Sequence, residues 1–367
     1  MLDLDPGDEL GLVADTARKL ADDHLGPAVR IAEAARQPAA DVFAAYTEIG
    51  LAGLELPESA GGAGQGALAR VLVNEELAAV DVGSALALDP LGLALYPVVE
   101  MGGESAAAEL AVGCAELGAR AVGVLVGADA QMDEGMDLQG DVASGSVPWL
   151  PADRVDSLVL LAGESMLWID RGIDLAPVRG MGLRAAGASE ASFRDAPLRE
   201  RFVDAAGAAR ARARGRLYVA SLLLGVMRAA CDFSRDYAQE RQAFGRPIAH
   251  HQALAFLITD MQMALDGARL LVHEAAWRID RRLEASAAAA SAYAQCIDAA
   301  RSIGPNAVQI LGGHGFVADY PVEKHMREAR SLSLLWGGFD AAIDEAGRAL
   351  CRHPSPLALG LETGERA

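Results

Sequence analysis

Between residues 207 and 311 three long stretches place apolar residues at helical spacing, and they dictate much of what the chain can become. RLYVASLLLGVMRAACDFSRDYAQER (216–241) carries a broad apolar face, and HHQALAFLITDMQMALDGARLLVHEAAWRIDRRL (250–283) continues in the same style after a Gly-Arg-Pro break. SAAAASAYAQCIDAARSIGPNAVQIL (286–311) supplies a third. Faces this wide are buried only by packing such helices on one another. Hydrophobic residues make up 52% of the chain but aromatics only 5%, so much of the core must be Ala and Leu, which suits closely packed helices.

The other segments differ in texture. LGLVADTARKLADDHL (10–25), DVFAAYTEIGLAGL (41–54) and ALARVLVNEELAAVD (67–81) also read as helices, with the breaker-rich loop PESAGGAGQG before the last. Near residue 118 short β-like runs begin: AVGVLVG (121–127), SLVLLA (157–162), MLWID (166–170) and IDLAPV (173–178), separated by Asp, Gly, Pro and Ser. The expected plan is α+β by segregation. An N-terminal helical domain takes 1–117, a middle antiparallel β domain 118–206, a C-terminal four-helix-bundle domain 207–352, and a tail 353–367.

A formal charge of −19 argues against nucleic acid, whose phosphates demand clustered Lys and Arg. The four cysteines (Cys114, Cys231, Cys296 and Cys351) form neither a CxxC pair nor a metal-like cluster, and read as buried free thiols in a reducing compartment. No metal is expected. The acidic N-terminus lacks a signal pattern, and no charge-free apolar run approaches the roughly 20 residues that span a bilayer. A cytoplasmic location without membrane contact is the expectation.

Three stretches together are similar to the acyl-CoA dehydrogenase family of flavoenzymes. YAQERQAFGRPIAHHQAL (237–254) resembles its R-x-x-F-G segment followed by a His-Gln or Phe-Gln pair. AVQILGGHGFVADYPVEKHMREAR (307–330) resembles its Q-I-x-G-G-x-G-F and Y-P-V-E-K segment. IGLAGLELPESAGGAG with VNEELAAVD resembles its N-terminal helical domain, so the likeness runs over most of the chain. It implies FAD as cofactor, bound across a subunit interface so that two chains build each site. It also implies α,β-desaturation of an acyl-CoA, in which a carboxylate takes the α proton and the flavin takes a hydride from Cβ.

By this resemblance, Arg241 matches an arginine that pairs with FAD phosphate oxygens, Phe244 an aromatic at the adenosine end, and His251 and Gln252 a pair contacting the dinucleotide. Gln309 to Gly313, with Gly312 and Gly313 at its turn, match the loop at the adenine–pyrophosphate end. All of these reach towards FAD held mainly by a neighbouring subunit. The groups serving a chain's own flavin differ. No T-E-P-x-(A/G)-G-S-D-like loop is recognisable in VGADAQMDEGMDLQGDVAS, and Trp336 stands at the family's usual catalytic glutamate, with Gly337, Gly338 and Phe339 at its Gly-Thr-Ser. Gly215 occupies the alternative base position, although Arg216 beside it keeps the family's substrate-region arginine.

No catalytic residue is therefore assigned, and Asp340, Asp260 and Asp232 remain as substitutes for the missing base. Three readings stay open. The leading one is a non-catalytic subunit that completes the FAD site of a homologous catalytic chain in an α2β2 assembly, as in two-gene actinobacterial enzymes acting on sterol side-chain CoA thioesters. Acyl-CoA would then be bound through the partner, with electron-transfer flavoprotein as the acceptor the family implies. The others are a self-sufficient dehydrogenase or oxidase with a relocated base, and a binding or scaffold protein of the same fold. Arg210, Arg212 and Arg214 are expected to be solvated, His314 to be a turn histidine, and Met261 and Met263 to be core or interface filler.

Overall fold

The structure, a computed structural model, describes residues 7–116, 118–127 and 136–352. Residues 128–135, part of the segment in which a flavin-ring loop would fall, and the tail from 353 lie outside them.

Helices α1 (Gly7–Leu20), α2 (Val29–Ala35), α3 (Ala40–Glu48), α4 (Ala67–Leu88), the single turn α5 (Leu95–Pro97) and α6 (Gly103–Gly113) precede the strands. α4 is buried along nearly its whole length, which explains why its apolar pattern shows no clear outer face. Its N-terminus is capped from far away in sequence. The Asp280 carboxylate accepts from the backbone N–H of Ala67 (2.6 Å) and of Leu68 (3.1 Å), tying the N-terminal helices to the bundle.

The middle segment forms a seven-stranded sheet from β1 (Ala121–Val126), β2 (Asp137–Gln139), β3 (Val142–Leu150), β4 (Ser157–Ala162), β5 (Ser165–Ile169), β6 (Ile173–Pro177) and β7 (Ser189–Val203). It is not wholly antiparallel as the sequence suggested: β1 pairs β4 in parallel, Ala121 opposite Ser157 through Val126 opposite Ala162. The residues between these strands are numerous enough for a parallel return, and they include β2 and β3. β4 is buried at all six positions, which is why it reads as an unbroken apolar run. β7 hides in the sequence because Ala191 and Phe193 face the core while Glu190, Arg194, Arg199 and Glu200 face outward.

The bundle comprises α7 (Ala205–Glu240), α8 (Gln252–Asp280), α9 (Ser286–Leu311), α10 (Val322–Leu332) and α11 (Gly338–Arg352), with the small hairpin of β8 (Gln242–Ala243) and β9 (Arg246–Pro247) between α7 and α8. α7 has the length and apolarity to cross a membrane, but most of that stretch is packed inside the protein, as in a core helix. Cys114, Cys231 and Cys296 are buried free thiols, whereas Cys351 is exposed because the outer face of α11 carries it. No group of metal-ligating side chains occurs among the described residues.

Lys324 is buried and held by Asp81 (2.7 Å) and Glu328, where Asp81 interrupts α4 with non-helical torsions. Beside it, burial and the neighbouring Lys324 and Arg30 charges hold His325 at a pKa of about 3. The unfolded chain would protonate this imidazole near pH 6.5, so stability falls as pH drops from about 6.5 towards 3, by up to about 1.4 kcal/mol per pH unit. His325→Gln should flatten that limb, as denaturation midpoints between about pH 7 and pH 5 will show.

Candidate functional site

Two sequence-distant segments meet at one end of the bundle. Tyr237, in the last turn of α7, has its hydroxyl 2.8 Å from His314 Nδ1, and His314 stacks on Tyr320 with ring centroids 5.0 Å apart. The turn histidine thus clamps the Gly312–Phe316 turn to the α7 end that leads into Arg241. Arg241, Gln252, Gln309, Gly312 and Gly313 are exposed, and His251 is half-buried. Gly312 adopts φ +57° with ψ −131°, a backbone state that essentially only glycine reaches, and space around it and Gly313 is open.

Phe244 sits at the hairpin tip with φ +54° and is 96% exposed, so it is no core phenylalanine. Its ring meets His251 edge-on at 5.9 Å, and His251 in turn lies 3.2 Å from the Ala243 carbonyl and 3.2 Å from Arg246. Phe244 thus presents an exposed ring beside His251, which Arg246 contacts in turn. An exposed guanidinium at Arg241, an exposed ring at Phe244 and open backbone at Gly312 and Gly313 are each of a kind that a dinucleotide's phosphates and base can use.

The interior has the opposite character. Trp336, Gly337 and Gly338 follow one another with φ of +50°, +87° and +64°. For a tryptophan this costs on the order of 1–2 kcal/mol, offset by burial to 4% exposure and by a 3.0 Å bond from its Nε1–H to the Arg212 carbonyl. Tyr293 pins the approach by donating to the Leu335 carbonyl (2.5 Å). The indole lies directly over Gly215: a Cβ there would fall 2.1 Å from Trp336 Cε2 and 2.3 Å from Nε1. The two positions that lack a carboxylate are therefore one packing unit. Gly215 is glycine because Trp336 is tryptophan.

Against the indole remains a cavity of about 250 Å³, lined among others by Leu125, Trp149, Asp89, Arg120, Tyr218 and Gly337. Among its lining residues Asp89 is the one carboxylate, and it is fully engaged. Its Oδ2 accepts from the Tyr218 hydroxyl (3.1 Å) and lies 3.3 Å from Arg70, while Oδ1 accepts from the Leu91 and Gly92 amides. Arg120 donates to the carbonyls of Pro151, Ala186 and Leu86, and burial lowers its pKa. Motif reading missed Asp89, Arg120, Trp149 and Tyr218, which belong to no contiguous signature. The substitutes for the base are elsewhere: Asp340 and Asp260 are exposed on helices, and Asp232 pairs with Arg235 at 2.8 Å. None of the three lines this cavity.

Arg216 does not reach the cavity either. It is buried and donates to Glu345 (2.7 Å) and the Ala341 carbonyl (3.3 Å), strapping α11 to α7. Of the arginines expected to be solvated, Arg210 is exposed, but Arg214 is half-buried between Glu55 (3.0 Å) and Glu100 (2.8 Å), and the half-buried Arg212 holds the Gly163 carbonyl. Every-second-residue spacing spreads them over several helix faces, some of which point inward. Met261 is buried and Met263 exposed for the same reason.

A helical domain, a mixed sheet and a helical bundle in this order define the three-domain fold of the acyl-CoA-oxidising flavoenzymes. Residues 7–120 match the model for the acyl-CoA dehydrogenase N-terminal domain, and residues 207–350 match that for the acyl-CoA dehydrogenase C-terminal domain. Together these span well over half of the chain, and it belongs to the acyl-CoA dehydrogenase family, whose cofactor is FAD.

The chain is 29% identical over 357 residues to the short-chain specific acyl-CoA dehydrogenase of Bos taurus mitochondria, covering 89% of this chain and 86% of that one. It is 29% identical to the short-chain specific enzyme of Clostridium acetobutylicum, covering 90% and 94%. The butyryl-CoA dehydrogenase structure from Megasphaera elsdenii shares the fold, with a TM-score of 0.83, 24% identity and coverage of 96% of this chain and all of that one.

Proposed function

We propose that this chain is a non-catalytic subunit of a heteromeric acyl-CoA dehydrogenase, and that it completes the FAD site of a homologous catalytic partner. The observation that carries the proposal is the interlock of Trp336 with Gly215, which fills the space of both candidate bases in one contact. A general base contributes on the order of 10²–10⁴-fold to proton abstraction, so a site without one is not a working dehydrogenase site. Meanwhile the outward rim keeps its exposed Arg241, Phe244, Gln252, Gln309, Gly312 and Gly313.

In this role Arg241 holds phosphate oxygens through its permanent planar charge, Phe244 packs beside the adenosine, and Gly312–Gly313 let the backbone approach the pyrophosphate. The flavin supplies the hydride acceptor for Cβ of the acyl thioester. The partner chain supplies the base and the acyl pocket, and electron-transfer flavoprotein is the acceptor consistent with the family. The Ala- and Arg-rich texture extends the proposal to sterol side-chain thioesters, which a panel of acyl-CoA substrates tests directly.

Co-expression with a homologous chain encoded nearby should yield a yellow complex bleached by acyl-CoA, and changing the partner's catalytic glutamate to glutamine should abolish bleaching. Bleaching that survives this change would place the base in the present chain and defeat the proposal.

A further inference from the structure

The hairpin that displays Phe244 turns in two residues. Ala243 pairs with Arg246, and Phe244 and Gly245 between them have φ of +54° and +79°. Positive φ at both central positions is the pattern of a type I′ turn, which asparagine or aspartate followed by glycine adopts easily. A phenylalanine in the first position is strained by about 1–2 kcal/mol. Support comes from outside the turn, from His251 at the start of α8. Its Nε2 lies 3.2 Å from the Ala243 carbonyl, its Nδ1 3.2 Å from Arg246 Nη2, and its ring meets Phe244 edge-on. One imidazole thus touches both residues that flank the turn and the aromatic at its tip. These partners also fix its hydrogens. A guanidinium can only donate and a carbonyl oxygen can only accept, so Nδ1 accepts from Arg246 while Nε2–H donates to Ala243. The ring is held neutral, in a single tautomer.

We infer that His251 is a positioning residue, which holds Phe244 and Arg246 in place while its ring is neutral and releases them when it is protonated. The inference rests on the proposed role of this rim in flavin binding. Resemblance set His251 among the groups that contact the dinucleotide, but both of its ring nitrogens are spent on the hairpin. A proton added at Nδ1 ends the bond from Arg246 and sets an imidazolium against a guanidinium. Arg246 then swings away, and the strained tip keeps only the tie to Ala243. No carboxylate intervenes to soften this. Asp236, Glu240 and Arg241 in and just after the last turns of α7, and His250 in the same loop, make no hydrogen bond to the ring, and α8 carries no charge before Asp260.

In the complex with the homologous chain, FAD affinity followed by flavin fluorescence should fall about 10-fold or more between about pH 7.5 and about pH 5. Two variants should lose this dependence. His251→Gln keeps a donor and an acceptor but does not titrate, and Arg246→Gln gives the histidine a partner that can accept as well as donate. In the solitary chain, carbon-13 shifts of labelled histidine, with His251→Gln for assignment, should report the Nε2–H tautomer at about pH 7.5. An Nδ1–H tautomer, or an acid loss of flavin equally large in both variants, would overturn the inference and leave the proposed function standing. A complex that takes up no FAD at either pH would defeat the proposed function and this inference with it.

Discussion

Gly215→Ala should destabilise the chain by about 2–3 kcal/mol, yet stabilise it by up to about 1 kcal/mol once Trp336 is replaced by Ala. The reversal of sign follows from the geometry. A methyl group at 215 would sit 2.1 Å from the indole, well inside van der Waals contact, so α7 or the Trp336 turn must move. Without the indole the same methyl occupies free space and brings alanine's better helix propensity. Trp336→Ala alone should cost about 3–5 kcal/mol, since a large buried ring and its bond to Arg212 are lost. Denaturant midpoints of the two single variants and the double variant complete the cycle. A Gly215→Ala cost that is the same in both backgrounds would mean that the two positions are not coupled, and the paired loss of both base positions would lose its explanation.

The second large effect lies at the rim. In the complex with the homologous chain, Arg241→Ala should weaken retention of FAD about 10- to 100-fold, the equivalent of a hydrogen bond to a charged group. Stability of the solitary chain should stay within about 0.5 kcal/mol of the unsubstituted protein, because Arg241 is exposed. Phe244→Ser should act in the same direction, as Phe244 has no core contacts to lose. Flavin retained per complex after gel filtration, read beside the melting curve of the lone chain, separates the two effects. Loss of stability without loss of flavin would make Arg241 a structural residue.

The sequence made much of this visible, for physical reasons that differ by element. α9 runs from Ser286 to Leu311, the very stretch whose pattern announced it, because a helix buried on several sides keeps a dense Ala and apolar signal. β4 was equally legible as a continuous apolar run. β7 was not, since six of its fifteen residues are charged and solvent-facing and its register is broken near Asp195, which has φ +48°. The parallel pairing of β1 with β4 depends on which edges meet and leaves no trace in either strand alone. In the site, resemblance located Trp336 and Gly215 separately, but only coordinates join them, since they lie 121 positions apart. Arg216 shows the reverse: its position matched a substrate-region residue, while Glu345, far along the chain, claims its charge.

On the proposed role, this chain lacks a base of its own and its rim serves another chain's cofactor. The most direct measurement is FAD content, by absorbance near the flavin bands, of the solitary chain and of its complex with the homologous chain. Essentially no flavin is expected in the solitary chain and, in the complex, fewer flavins than chains with bleaching on addition of acyl-CoA. One FAD per solitary chain, bleached by acyl-CoA, would contradict it.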